Sequence, residues 1–187
     1  MSIKTFLAST ALVLAAGSAF AESHAMANPM VGGAEMFADK NIVENAMNSA
    51  DHTTLVAAVA AAGLVETLQG EGPFTVFAPT NDAFAALPEG TVDTLLMPEN
   101  IEQLTTILTC HVVGANAMSD AIMGMIADDN GKHPVTTLGG CVLQAQMNGD
   151  MITLTDETGG VATVTIADVV QSNGVIHVID KVLLPAM

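Results

Sequence analysis

The order of its patterns constrains this chain most. Helix-type segments come first, and short strand-type segments divided by turn dipeptides fill the last third. The strand-type stretches run near Val135–Leu138, Cys141–Met147, Met151–Thr155, Ala162–Val170, Gly174–Ile179 and Val182–Leu184. Between them stand Gly139-Gly140, Asn148-Gly149-Asp150, Gly159-Gly160 and Asn173-Gly174. Asn-Gly steps between alternating runs signal hairpins, because both residues tolerate positive φ. No βαβ alternation is visible, so the order predicts an α+β chain, mainly β, and argues against a parallel nucleotide-binding sheet.

The helical half is read from caps and breakers. Asn41–Ala50 places Ile42, Val43, Ala46 and Met47 on one face behind an Asn41 cap. Thr54–Ala62 follows and stops at Gly63, and a shorter helix over Leu64–Gln69 stops at Gly70. Thr91–Met97 closes at Pro98. The clearest amphipathic stripe is Ile101, Leu104, Ile107 and Leu108, with Asn100 as cap and Gln103 at the reciprocal position of a capping box.

Two denser blocks sit inside this frame. Phe74-Thr-Val-Phe-Ala-Pro-Thr-Asn-Asp-Ala-Phe84 reads as a strand over Phe74–Ala78, a turn at Pro79, and a helical turn capped by Thr80 with Asp82 in its first turn. Asn173-Gly-Val-Ile-His-Val-Ile-Asp180 reads as a turn followed by a strand. These blocks resemble the two signatures of the fasciclin (FAS1) domain family, and His111-Val112-Val113 matches the motif between them. One departure stands out: Cys110 occupies the place where the family usually has tyrosine. The resemblance covers about Asn41–Pro185. It implies a fasciclin-type β-wedge of two sheets with a layer of short helices, in a secreted, single-domain bacterial member. Thr75, Phe77, Pro79, Thr80, Asn81, Asp82, Phe84, His111, Asn173, Gly174 and His177 are then mainly structural motif residues. Ile179 and Asp180 are candidate partner contacts by the same resemblance.

The N-terminus predicts export. Lys4 precedes the apolar run Phe6–Ala16, and Ala19-Phe20-Ala21 fits a small-x-small cleavage site, so residues 1–21 read as a signal peptide. Residues 22–40 contain Asn28-Pro29 and Gly32-Gly33 and read as a flexible arm, leaving 41–187 as the domain. Methionines 26, 30 and 36 in that arm invite a Cu(I) reading, but their loose spacing favours a linker. Periplasmic or extracellular residence is expected, with no transmembrane anchor. Cys110 and Cys141 are the only cysteines. An even pair in an exported chain favours a disulfide, the alternative being two buried free thiols.

Charge narrows the partners. The formal net charge is −16 at pH 7, with Lys+Arg 4 against Asp+Glu 20. Such a surface repels phosphate backbones and argues against nucleic acid. No cofactor is expected either. His111 and His177 could converge as a metal or acid–base pair, but hydrogen-bonded structural histidines fit their positions better. His52 and His133 look exposed. Asp128-Asp129-Asn130-Gly131 lacks the alternation of a calcium loop, and Asp156-Glu157 looks like a solvated hairpin tip. No serine stands in a nucleophile-elbow context. The sequence therefore predicts a non-enzymatic secreted or cell-surface binding module for adhesion or extracellular matrix and biofilm contact. Its partner would be a surface protein or glycan, or a second copy. The alternative is a soluble periplasmic carrier or sensor of a small apolar ligand, with the aliphatic, Met-rich stretch Met118–Ile126 as a lid.

Overall fold

Seven strands pair into one connected sheet whose central strands are apolar on both faces. The computed structural model describes residues 28–186; the expected signal peptide and the start of the arm, including Met26, lie outside the described residues. In chain order the strands are β1 (Met30–Val31), β2 (Ala34–Glu35), β3 (Phe74–Pro79), β4 (Val112–Val113), β5 (Lys132–Thr136), β6 (Val142–Asn148), β7 (Met151–Thr155), β8 (Val161–Gln171) and β9 (Gly174–Ile179). β1 and β2 form a separate two-stranded hairpin, and the large sheet runs β4-β3-β9-β8-β7-β6-β5.

The wedge comes from β8, which serves both halves. Its first residues, Val161–Thr163, pair with β7, and Val164–Gln171 pair with β9. Two register irregularities, at Val164/Ile166 and Ile166/Val169, bend it between those tasks. β3 and β9 are parallel and the remaining strand pairs antiparallel, so the sheet is mixed. β9 is buried along its whole length. Its alternate residues feed two different cores: Ile176 and Val178 join the helical core, and Ile179 joins the core of the second half-sheet. A strand with two buried faces must be apolar throughout, as Val-Ile-His-Val-Ile nearly is.

The helices are α1 (Ile42–Asn48), α2 (Thr53–Ala61), α3 (Val65–Leu68), α4 (Asn81–Ala85), α5 (Thr91–Leu95), α6 (Ile101–Thr109) and α7 (Ser119–Asp128). The first six cover one face of β3 and β9, through Ile42, Leu55, Leu68, Phe84, Leu95 and Leu104. α7 covers the other half, seating Ile122 and Ile126 on Leu143, Ala145, Ile152 and Leu154. Burying each such Ile or Leu contributes about 1.5–3 kcal/mol.

Several expectations need correction. The arm is folded from residue 28 to 40: Gly32 and Gly33 turn the β1–β2 hairpin at positive φ, and Met36 is 2% exposed. Ala50 N–H donates to Gly32 O, and Ser172 N–H donates to Lys40 O. Met30 is exposed while Met36 is core, so the two present no common thioether site. Asn41 does cap α1, in a full box with Glu44. The box expected at Asn100 does not form, because Asn100 ends a 3₁₀ turn with φ −111 and ψ 9. Its amide instead donates to Thr94 O at 2.7 Å. β5 begins three residues earlier than expected, at Lys132. Val182–Leu184 is no strand, because its backbone N–H groups go to side chains, as described next.

Candidate functional site

The signature residues converge on hydrogen bonds inside the molecule. Thr75, fully buried on β3, donates from Oγ1 to Ala115 O at 2.6 Å and accepts from Ala117 N at 2.8 Å. His177 sits beside it on β9, with Phe77 stacked on its ring at 5.7 Å. Its Nε2 bonds Ala117 O at 2.8 Å, and its Nδ1 accepts from Asp168 N at 3.2 Å. Asp168 then accepts from Ser119 N at 2.7 Å and bonds Ser119 Oγ, holding the start of α7. Asp168 has φ 58, which Asp tolerates better than most residues and which the bend in β8 requires.

His111 makes a second clasp. Nδ1 bonds Ile107 O at 2.8 Å, and Nε2 accepts from Leu183 N at 2.9 Å. Burial pushes its pKa down to about 4, against weaker raising effects from the Ile107 backbone and the Asp156 carboxylate. Burial likewise lowers that of His177, opposed by the Ala117 backbone and Asp168. Each neutral ring has one donor and one acceptor nitrogen, and both are spent on backbone. Neither histidine offers a lone pair to a metal or a substrate. Among the described residues no group of three His, Cys, Asp or Glu is placed to hold a metal.

The C-terminal segment is tied by the residues read as a solvated tip. Asp156 is 6% exposed; its Oδ1 accepts from Thr158 N, Thr158 Oγ1 and Gly160 N. Its Oδ2 accepts from Leu184 N at 2.9 Å. Glu157 accepts from Ala186 N and Val142 N, both of which lower its pKa. Leu183, Leu184 and Ala186 therefore donate to His111, Asp156 and Glu157 in turn, which leaves no ladder for a strand. An Asp followed two residues later by Thr is an Asx-turn pattern, the local signal that sequence reading passed over.

Asn81 and Asn173 act as remote caps. Asn81 accepts from Thr54 N at 3.0 Å and from Thr53 Oγ1, and donates to Ala50 O, fastening the start of α2. Thr80 caps α4 through Ala83 N. Asp82 is exposed, while Pro79 and Phe84 are buried. Asn173 accepts from Ile42 N and donates to Leu68 O and Gly70 O, joining α1 and α3 to the β8–β9 turn. Gly174 lies against β3, where an added Cβ would stand 2.0 Å from Phe74 O.

Cys110 and Cys141 are bonded, with Cα–Cα 5.4 Å and a sequence separation of 31. The pair joins the end of α6 to the start of β6. Replacing both with alanine is expected to cost about 3–4 kcal/mol in urea unfolding, by freeing that loop in the unfolded state. A loss under about 1 kcal/mol would show that the bridge carries no such constraint.

Other expectations change place. Ile179 is fully buried in the second core and is not a surface contact. Asp180 is exposed, with one carboxylate oxygen accepting from Thr163 N at 2.6 Å. His52 is buried, not exposed, and His133 is partly buried, with Nδ1 in a 2.6 Å hydrogen bond with Asp129 Oδ2. Among the described residues no helix is long and apolar enough to cross a membrane.

With the internal residues spoken for, surface remains. The outward face of β5, β6, β7 and the start of β8 carries Pro134, Gln144, Gln146, Thr155 and Thr163 in facing register around the buried Thr153, with Lys132 the one charged residue at its strand positions. Val142, Met151 and Val161 lie on the same face and are exposed. On a chain of net charge −16 this is a nearly uncharged sheet.

Comparison with known proteins agrees with the motif geometry. A family model described as "Fasciclin domain" matches residues 50–185. "Protein sll1483" of Synechocystis sp. is 49% identical over 146 residues, covering 78% of this chain and 74% of that protein. Human periostin is 33% identical over 135 residues, 72% of this chain and 15% of periostin. A solved domain pair from the insect cell adhesion molecule Fasciclin I superposes with TM-score 0.53 at 24% identity, over 67% of this chain and 42% of that one. The buried Thr75–His177 and Asn173–Gly174 constellations, the two-part sheet and the matched span together place this chain in the fasciclin (FAS1) domain family.

Proposed function

We propose that this protein is a non-enzymatic binding module that works outside the cytoplasm, in adhesion or in matrix and biofilm contact. The observation that carries the reading is the commitment of the motif's polar side chains to backbone partners, which leaves recognition to surface shape. The solved relative named as a cell adhesion molecule supports the same direction. The face of β6–β7–β8 suits a neutral glycan or an uncharged protein surface, since its strand positions offer amides, hydroxyls and exposed Met151 and Val161, with the carboxylates of Glu157 and Asp180 only at its border. The export signal expected at residues 1–21 delivers the domain to such a partner.

Met151→Glu with Val161→Glu tests that face. Both side chains are about half exposed, at 50% and 48%, so the fold tolerates the change. Retention of labelled protein on cells of the producing organism is expected to fall by about tenfold. Retention equal to the unaltered protein would rule this face out.

A second reading, a carrier or sensor of a small apolar ligand, draws on a different observation from the one that suggested it. Met118–Ile126 forms most of α7, which packs on the second half-sheet and lids nothing. A cavity instead lies among α1, α2, α3, β3 and β9.

A further inference from the structure

The cavity under α1–α3 has a volume of about 170 Å³ and is lined almost wholly by aliphatic side chains, among them Ile42, Val43, Leu55, Val59 and Ile176. Packed interiors hold few voids larger than one water, and an apolar cavity of about 150 Å³ stays dry and takes a molecule the size of benzene. No phenylalanine, carboxylate or lysine lines this one. Its three polar lining residues, Ser49, His52 and His111, offer an occupant no free group. Ser49 Oγ bonds His52 Nδ1 at 2.8 Å, and His52 Nε2 is buried, with the Ala78 backbone beside the ring. Both nitrogens of His111 are spent on Ile107 and Leu183. A polar atom placed inside would lose its water and gain no partner, so whatever fills the chamber there is hydrocarbon.

The chamber opens between the three helices. Ala46 and Met47 on α1, Val56 and Ala60 on α2, and Leu64 and Val65 on α3 line it and also reach solvent, Met47 being 65% exposed. An apolar path therefore runs from surface to core, which suits a chain threading inward better than a compact molecule sealed inside. A head left at the mouth meets few charges. Glu44 and Glu66 are the only charged residues in α1, α2 and α3, and Glu44 is engaged at the cap of α1. No cation stands there for an anionic head, and the net charge of −16 repels one. A lone exposed carboxylate holds a cationic head only weakly.

We propose that this cavity binds the hydrocarbon tail of an uncharged amphiphile, with the tail inward past Met47 and the head in solvent at the mouth. The inference rests on the carrier reading and names its ligand class. Such a tail needs no anchoring hydrogen bond, because each buried CH₂ tightens binding about fourfold until the chamber is full.

Xenon, butanol, hexanol, hexanoate and hexylammonium, each titrated into the intact protein and followed by methyl NMR, test it. The expected result is shifts at Ile42, Val43, Leu55 and Val59 with xenon and both alcohols, hexanol binding about fifteenfold tighter than butanol. Hexanoate and hexylammonium are expected to bind more weakly than hexanol. Val59→Phe, which fills the chamber, is expected to abolish the hexanol shifts. Should that variant fail to fold, Ala46→Phe at the partly buried mouth takes its place. Hexanol bound with unchanged affinity by the folded variant lies elsewhere and overturns the site. Xenon binding without hexanol, or equal affinity for butanol and hexanol, overturns the tail while leaving a carrier of compact molecules. A charged probe that binds as tightly as hexanol overturns the uncharged head. Failure of every probe to shift those methyls overturns the carrier reading as well.

Discussion

Gly174→Ala is expected to abolish the native fold or to cost at least about 3 kcal/mol, the range reserved for strain that packing cannot relieve. The reason is steric. A Cβ at this position would stand 2.0 Å from Phe74 O, 2.9 Å from Phe74 C and 3.0 Å from Phe74 N, all backbone atoms. β3 cannot retreat, because β4 pairs its other edge and both of its faces are packed. Moving β9 instead would pull Asn173 from Ile42, Leu68 and Gly70. Gly149→Ala is the control. It turns the β6–β7 hairpin at φ 63 with nothing within 4 Å of an added Cβ, so it carries only the left-handed penalty, about 1–2 kcal/mol. Urea unfolding followed by circular dichroism separates the two. A Gly174 variant no weaker than the Gly149 variant would mean that the β3–β9 seam is loose.

Stability is expected to fall as the pH drops from about 7 to about 4, with the three buried histidines acting together. His111 has a folded pKa of about 4 against 6.5 in the unfolded chain. Below 6.5 the unfolded state gains a proton that the folded state refuses, so unfolding becomes easier. The contribution is whole above 6.5 and gone below about 4, where His111 alone removes about 3 kcal/mol at roughly 1.4 kcal/mol per unit. His177 and His52 are lowered too and add in the same direction. Protonating carboxylates on so acidic a chain relieves repulsion and works the other way. His111→Gln isolates the histidine from that background, and its stability should depend less steeply on pH than that of the unaltered protein. Parallel pH profiles for the two would remove His111 from the account.

Much of the frame was legible because it is local. Asn41 and Thr80 cap their helices with oxygens a few residues away from the N–H groups they meet, and the Asn148-Gly149 hairpin forms between adjacent strands. The strand order along the chain and the α+β class follow from such patterns. The motif blocks were legible as a resemblance, and the reasons for their residue types appear only in three dimensions: Asn81 caps a helix that precedes it by some 27 residues, and Asn173 reaches Ile42 across 131.

Distance along the chain hides the rest. Val182–Leu184 has the composition of a strand, but His111 and Asp156 arrive from elsewhere to take the N–H groups of Leu183 and Leu184, and Glu157 takes that of Ala186 just beyond. Asp156 and Glu157 look like a free tip because the segment they tie down, at Leu184 and Ala186, lies about thirty residues on. His52 looks exposed beside a helix start, and the fold buries it with Nδ1 bonded to Ser49 Oγ. Ile179 reads as a partner contact by resemblance, and the central place of β9 in the sheet buries it instead.

The sequence by itself determined most of the helices and strands, their order and the family, and it favoured the cysteine bridge, since each depends on neighbours along the chain, on long motifs or on compartment. Tertiary structure alone decided which polar groups are spent and which remain: the clasps of His111 and His177, the buried ring of His52, and the uncharged face of β6–β7–β8. Hydrogen-bond satisfaction and burial are properties of the assembled neighbourhood, and no one-dimensional pattern encodes which distant carbonyl a side chain will meet.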